Sequence, residues 1–154
     1  MSALDTAMYA VHLLVAGVWT GSVVFTTYAV VPTAADGTAN AEPLAAIVRR
    51  LRTVSRAGAV LLLLTGGYMA GQGYTVDSLT GSTRGYLVLG MVVLWLLLAA
   101  FVEVGAGKLA SGFDDMKVRE PAREARPFML AATLVALLLL VEGGILAAGF
   151  GGAA

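Results

Sequence analysis

Residues 85–105 read GYLVLGMVVLWLLLAAFVEVG, and Glu103 is the one charge among them. At about 1.5 Å per helical residue the run covers roughly 31 Å, the thickness of a bilayer's hydrocarbon core. A surface helix of a soluble domain keeps one face polar, and this run has no polar face. It reads as a membrane span. Working outward, residues 6–31, 57–73 and 128–149 are almost as apolar, and each is long enough to serve as a further span.

The charges between these runs orient them. Of the ten Lys and Arg residues, Arg49, Arg50, Arg52 and Arg56 precede the second run. Lys108, Lys117, Arg119, Arg123 and Arg126 separate the third from the fourth, and Arg84 stands alone. The positive-inside rule makes both basic loops, 32–56 and 106–127, cytoplasmic and puts both termini outside. The expected fold is all-α: one domain over 1–154, a four-helix transmembrane up-and-down bundle in the cell membrane.

Composition narrows the function classes. With 58% hydrophobic and 13% charged residues the chain is too apolar for a soluble domain of this size. The formal net charge is zero, and the positive charges are used in topology, so no basic face is left for a nucleic-acid backbone. Cysteine is absent, which excludes disulfides, thiolate metal sites, iron–sulfur clusters and covalent c-type haem. The first run is too long for a signal-peptide core and reads as a permanent span.

Between the first two runs, Glu42-Pro43 starts a helix, with Pro43 at the first helical position. Leu44, Ile47, Val48, Leu51 and Val54 then recur at helical spacing with the arginines opposite. This predicts an amphipathic extension that lies at the cytoplasmic interface before turning into the bilayer. Residues 74–84 read as a short turn-rich loop joining antiparallel neighbours. Gly112, Asp114 and Asp115 mark a stop, and Pro121 and Pro127 bracket a charged, solvated stretch.

Polar residues inside the spans are the candidates for chemistry, because they are costly there and usually face the bundle interior. His12, the only histidine, lies near the outer end of the first span. Met8, His12, Val15, Trp19, Ser22 and Thr26 share one helix face, with Met8 one turn from His12. A thioether beside an imidazole suits a soft cation or haem iron. Glu142 on the fourth span and Tyr68 and Met69 on the second come to a similar depth, so His12, Met8, Glu142, Tyr68 and Met69 are expected to converge in one layer. The plainer alternative is that His12 bonds a neighbouring helix, Met8 fills space and Glu142 is simply protonated or pairs with His12 as a structural lock. Glu103, level with Arg56 and Arg52, is expected to form a structural ion pair.

Gly17-xxx-Gly21 and Gly67-xxx-Gly71 are small-xxx-small motifs that let helices approach closely within the bundle or between two copies, so a homodimer through Gly17 and Gly21 is one expected use. Gly66 and Gly67 would alternatively leave room for a flat ligand such as a porphyrin. No catalytic residue is assigned; the chain reads as a binding protein rather than an enzyme.

Residues 12–22, HLLVAGVWTGS, resemble the opening helix of the copper-resistance D (CopD) family, in which a histidine is followed seven residues later by tryptophan and then a glycine pair; Ser22 stands here for the second glycine. The resemblance implies an integral membrane protein of copper uptake or tolerance, with His12 as the residue carried over. On that reading His12, Met8, Met69 and Glu142 would take copper, and a periplasmic or extracellular donor protein would deliver it. The same helix is also similar to that of the HemJ-type protoporphyrinogen oxidases, which bind haem b. That alternative would use His12, Met69, Gly66 and Gly67. A non-catalytic membrane subunit is the third reading.

Overall fold

The computed structural model describes residues 2–149, and three of its helices begin where side chains serve their unpaired N–H groups. Helix α1, Ala3–Phe25, opens on a reciprocal capping pair: the Ser2 hydroxyl accepts from the Asp5 N–H at 3.1 Å, and the Asp5 carboxylate accepts from the Ser2 N–H at 2.6 Å. Thr75 and Ser78 cap the short helix α4, Val76–Gly81, in the same way, and the Ser82 hydroxyl caps α5, Thr83–Asp114. The remaining helices are α2, Val31–Asp36, α3, Ala41–Gly73, and α6, Arg119–Ala147.

A π-helical segment, Thr26–Val30, joins α1 to α2, so Ala3–Asp36 is one rod of 34 residues. The Val31 N–H reaches back five residues to the Thr26 carbonyl. Pro32 follows immediately and has no N–H to give, so the last regular hydrogen bond of α1 is rearranged rather than simply lost. The rod ends at Gly37, whose φ of 68° is the left-handed cap that glycine adopts without strain.

Four helices are long and apolar enough to cross a membrane: Ala3–Asp36, Ala41–Gly73, Thr83–Asp114 and Arg119–Ala147. The described residues are almost entirely helical, and this is an all-α, four-helix bundle of a multi-pass membrane protein. The shortest of the four has 29 residues, or about 44 Å, so every helix overshoots a hydrocarbon core of roughly 30 Å.

That overshoot corrects one expectation. The stretch before residue 57 does not turn along an interface; α3 runs unbroken from Ala41, and Leu44, Ala45, Val48, Leu51 and Ser55 are buried in the bundle. The reason is phase: these positions continue the stripe that α3 presents to its neighbours, so bending the helix would expose them. Pro43 falls at the third helical position rather than the first, still in the turn whose N–H groups have no helical partner. Residues 74–84 contain the α4 turn, and Pro121 and Pro127 both lie inside α6.

Two antiparallel hairpins, α1 with α3 and α5 with α6, make up the bundle, and α3 packs on α5 as extensively as it does on α1. In the first, α1 lies on α3: Trp19 Cβ sits 3.6 Å from where a Cβ on Gly58 would be, and His12 bonds Thr65 further along the seam. In the second, α5 lies on α6 through glycines: Met129 Sδ covers Gly105, and the Pro121 ring covers Gly112. The hairpins join in the half carrying the arginines. The Thr27 hydroxyl lies 2.9 Å from the Val23 carbonyl of its own helix and 3.1 Å from the Met129 carbonyl and shares its proton between them, the Thr133 hydroxyl donates to Thr27 at 2.9 Å, and the Trp95 indole N–H donates to the Ala59 carbonyl at 3.2 Å. Trp19, Val23, Val48, Leu51, Leu98, Val102, Phe113 and Met129 form the core of that basic half. In the opposite half, leucines such as Leu14 and Leu64 stand more than 60% exposed, as on a surface that meets lipid.

Candidate functional site

The seam between α1 and α3 builds the site from its open end inward. Outermost, the Tyr68 hydroxyl donates to Asp5 Oδ1 at 3.0 Å, so the carboxylate that caps α1 also ties it to α3. Deeper in, His12 Nδ1 lies 2.7 Å from Thr65 Oγ1. The Thr65 hydroxyl in turn donates to the Leu61 carbonyl of its own helix at 2.7 Å, and Thr65 is only 5% exposed.

Gly66 is the floor on which the ring rests. A Cβ built there would come 3.2 Å from His12 Cε1 and 3.7 Å from Nδ1. A Cβ there would require the imidazole to shift by a few tenths of an ångström.

Between these two layers lie the thioethers. Met8 precedes His12 by four residues and Met69 follows Thr65 by four. Because α1 and α3 run antiparallel and His12 is paired with Thr65, both methionines sit one turn, about 6 Å, nearer the open end than the imidazole. Both are half-buried. By this register His12, Met8, Met69 and Tyr68 follow one another along the seam, with the Tyr68 hydroxyl already engaged by Asp5.

Glu142 belongs to the other hairpin. Its Oε1 lies 2.8 Å from where a Cβ on Gly90 would stand, and its Oε2 is buried with no hydrogen-bond partner. The imidazole has Thr65 as its partner instead. Among the described residues no three His, Asp or Glu side chains gather as a metal cluster, so a cation in the seam would depend on sulfur together with nitrogen. An imidazole with two thioethers is a soft donor set of the kind that suits Cu(I).

The other singled-out residues lie outside this seam or in its walls. Glu103 holds both Arg52 and Arg56, the latter with Nη2 at 2.6 Å and Nε at 3.2 Å, and so links α3 to α5. Gly17, Gly21, Gly67 and Gly71 have nothing within 4 Å of an added Cβ. Both small-xxx-small motifs therefore lie on the outer surface of this single copy rather than inside it. Gly66 is taken up by the imidazole, and Gly67 faces open space.

Sequence reasoning passed over Thr65, Asp5 and Gly90. Thr65 carried a usable signal, as a hydroxyl within an apolar run four residues before Met69 at the depth of His12. Gly90 carried none, since glycine is common in membrane helices. No family model, curated protein or solved structure matches this chain.

Proposed function

We propose that the protein is a CopD-like integral membrane protein that binds Cu(I) close to the outer face of the cell membrane, with the arginine-rich end of the bundle in the cytoplasm. His12, Met8 and Met69 are the ligands. The observation that carries this reading is the register of the α1/α3 seam: two thioethers stand at matching positions, one turn outward from the only imidazole. Soft donors favour a monovalent soft cation over hard divalent ions, and the one carboxylate of the seam, Asp5, is already engaged by the Ser2 N–H and the Tyr68 hydroxyl. Glu142 is left out of the ligand set, because its carboxyl rests on Gly90 of α5. The orientation follows from the arginines and lysines at the opposite end. The exposed Gly17 and Gly21 leave α1 free to pair with a second copy.

The experiment is a competition titration of the full-length protein in detergent against a chromogenic Cu(I) chelator, with elemental analysis and an absorption spectrum of the same sample. One Cu(I) per chain is expected, lost in His12→Ala and weakened in both Met8→Leu and Met69→Leu. A colourless protein that leaves the chelator fully loaded would overturn the copper reading. A Soret band would replace it with haem.

A further inference from the structure

Thr65 makes two contacts of equal length, 2.7 Å to His12 Nδ1 and 2.7 Å to the Leu61 carbonyl oxygen. A hydroxyl has one proton to give and lone pairs to accept with. The carbonyl can only accept, so the Thr65 proton lies toward Leu61, and the contact to His12 is a hydrogen bond only if Nδ1 carries the proton. With the proton on Nε2 instead, two acceptors would compete for one hydroxyl hydrogen. One of the two short contacts would then set lone pair against lone pair. The seam around them is half-buried and Thr65 itself nearly wholly so, where such a mismatch is not relieved by water.

We infer that Thr65 is a positioning residue: it holds neutral His12 as the Nδ1–H tautomer and leaves Nε2 as the one ring atom with a free lone pair for a soft cation. In water a histidine side chain favours the opposite tautomer, with the proton on Nε2, so the protein imposes this state. Gly66 assists by letting the Cε1–Nδ1 edge of the ring approach α3, with Cε1 3.2 Å from a would-be Cβ. The arrangement is the one a metal-bound imidazole commonly uses, in which the non-ligating N–H is fixed by an oxygen acceptor. The tautomer stands on the hydrogen bonds alone; the identity of the cation rests on the copper reading above.

The chain has a single histidine, so histidine-selective 15N labelling of the full-length protein gives two ring-nitrogen signals with no assignment ambiguity. At a pH where the ring is neutral, the metal-free protein is expected to show a protonated, pyrrole-type Nδ1 and an unprotonated, pyridine-type Nε2. Thr65→Ser, which keeps the hydroxyl, should retain this pattern. Thr65→Val, nearly the same shape without the hydroxyl, should revert toward Nε2–H. Adding Cu(I) should shift Nε2 strongly, with the affinity of Thr65→Val weakened on the order of 10–100-fold and that of Thr65→Ser close to wild type. A wild-type ring with its proton on Nε2, or a Val variant indistinguishable from wild type, overturns the inference. If Thr65→Val does not fold, the wild-type spectrum alone decides. An Nδ1–H ring that ignores Cu(I) upholds the tautomer and removes copper.

Discussion

Trp19 is 1% exposed, and its indole N–H is buried without an acceptor. The ring is there for its volume: it fills the seam over Gly58, where its Cβ and Cγ come within 3.6 Å of a would-be Cβ. Since the N–H makes no bond, removing it costs little, whereas removing the ring opens a cavity. Trp19→Phe should melt within a few degrees of wild type, and Trp19→Ala should lose about 3 kcal/mol; thermal unfolding in detergent compares them. An equal loss in both would show that the N–H has a partner. Nothing in the sequence distinguished this tryptophan from an interfacial one except its depth, because a side chain's neighbours depend on which helix faces it. The same limit applied to Glu142, whose depth was legible but whose neighbour, Gly90, was not.

Helix α5 meets α6 through glycines whose spacing allows close approach. Gly112 is the tightest contact: a Cβ there would fall 1.9 Å from Pro121 Cγ, inside a ring that cannot rotate away. Gly112→Ala should therefore destabilise by about 2–3 kcal/mol through overpacking, read as a lowered midpoint of unfolding. Gly17→Ala, with nothing within 4 Å of the new methyl, serves as the matched control and should leave the single copy unchanged. A neutral Gly112→Ala would mean that the hairpin is looser than described. At this scale the number of spanning elements was legible from runs of apolar residues, since bilayer thickness sets their length. Their ends were less so. The stretch 41–56 carries arginines on one side, which reads equally as a helix on the interface or as one leaving the membrane inside the bundle. Packing of its other side on the core selected the second. Likewise the π segment before Pro32 follows from a missing N–H, but where the strain is absorbed depends on what the helix rests against.

For the molecule as a whole, the two hairpins join near the arginines through a few polar links across otherwise apolar faces. Thr133, 3% exposed, donates to Thr27, whose own proton is shared between the Val23 and Met129 carbonyls. Thr133→Val keeps the shape and removes the first bond. It should cost about 1 kcal/mol, with a double-mutant cycle against Thr27→Val showing that the two losses are not additive. Additive losses would mean the hydroxyls act separately. The Glu103 pairing with Arg52 and Arg56 adds a second link between the same hairpins, partly exposed and so weaker than its contact lengths suggest. The sequence by itself determined that the chain is helical, that it carries four helices long and apolar enough to cross a bilayer and that its basic residues gather at one end. Those properties are set by length, hydropathy and charge along the chain, and need no knowledge of neighbours. Only the tertiary structure decided that His12 answers to Thr65 and Gly66, a pairing that sets Met8 level with Met69, and that Glu142 lies on the other hairpin. Helical spacing says which residues share a face, but the face that meets it is chosen by how closely small residues let two helices approach, and that is a property of the pair.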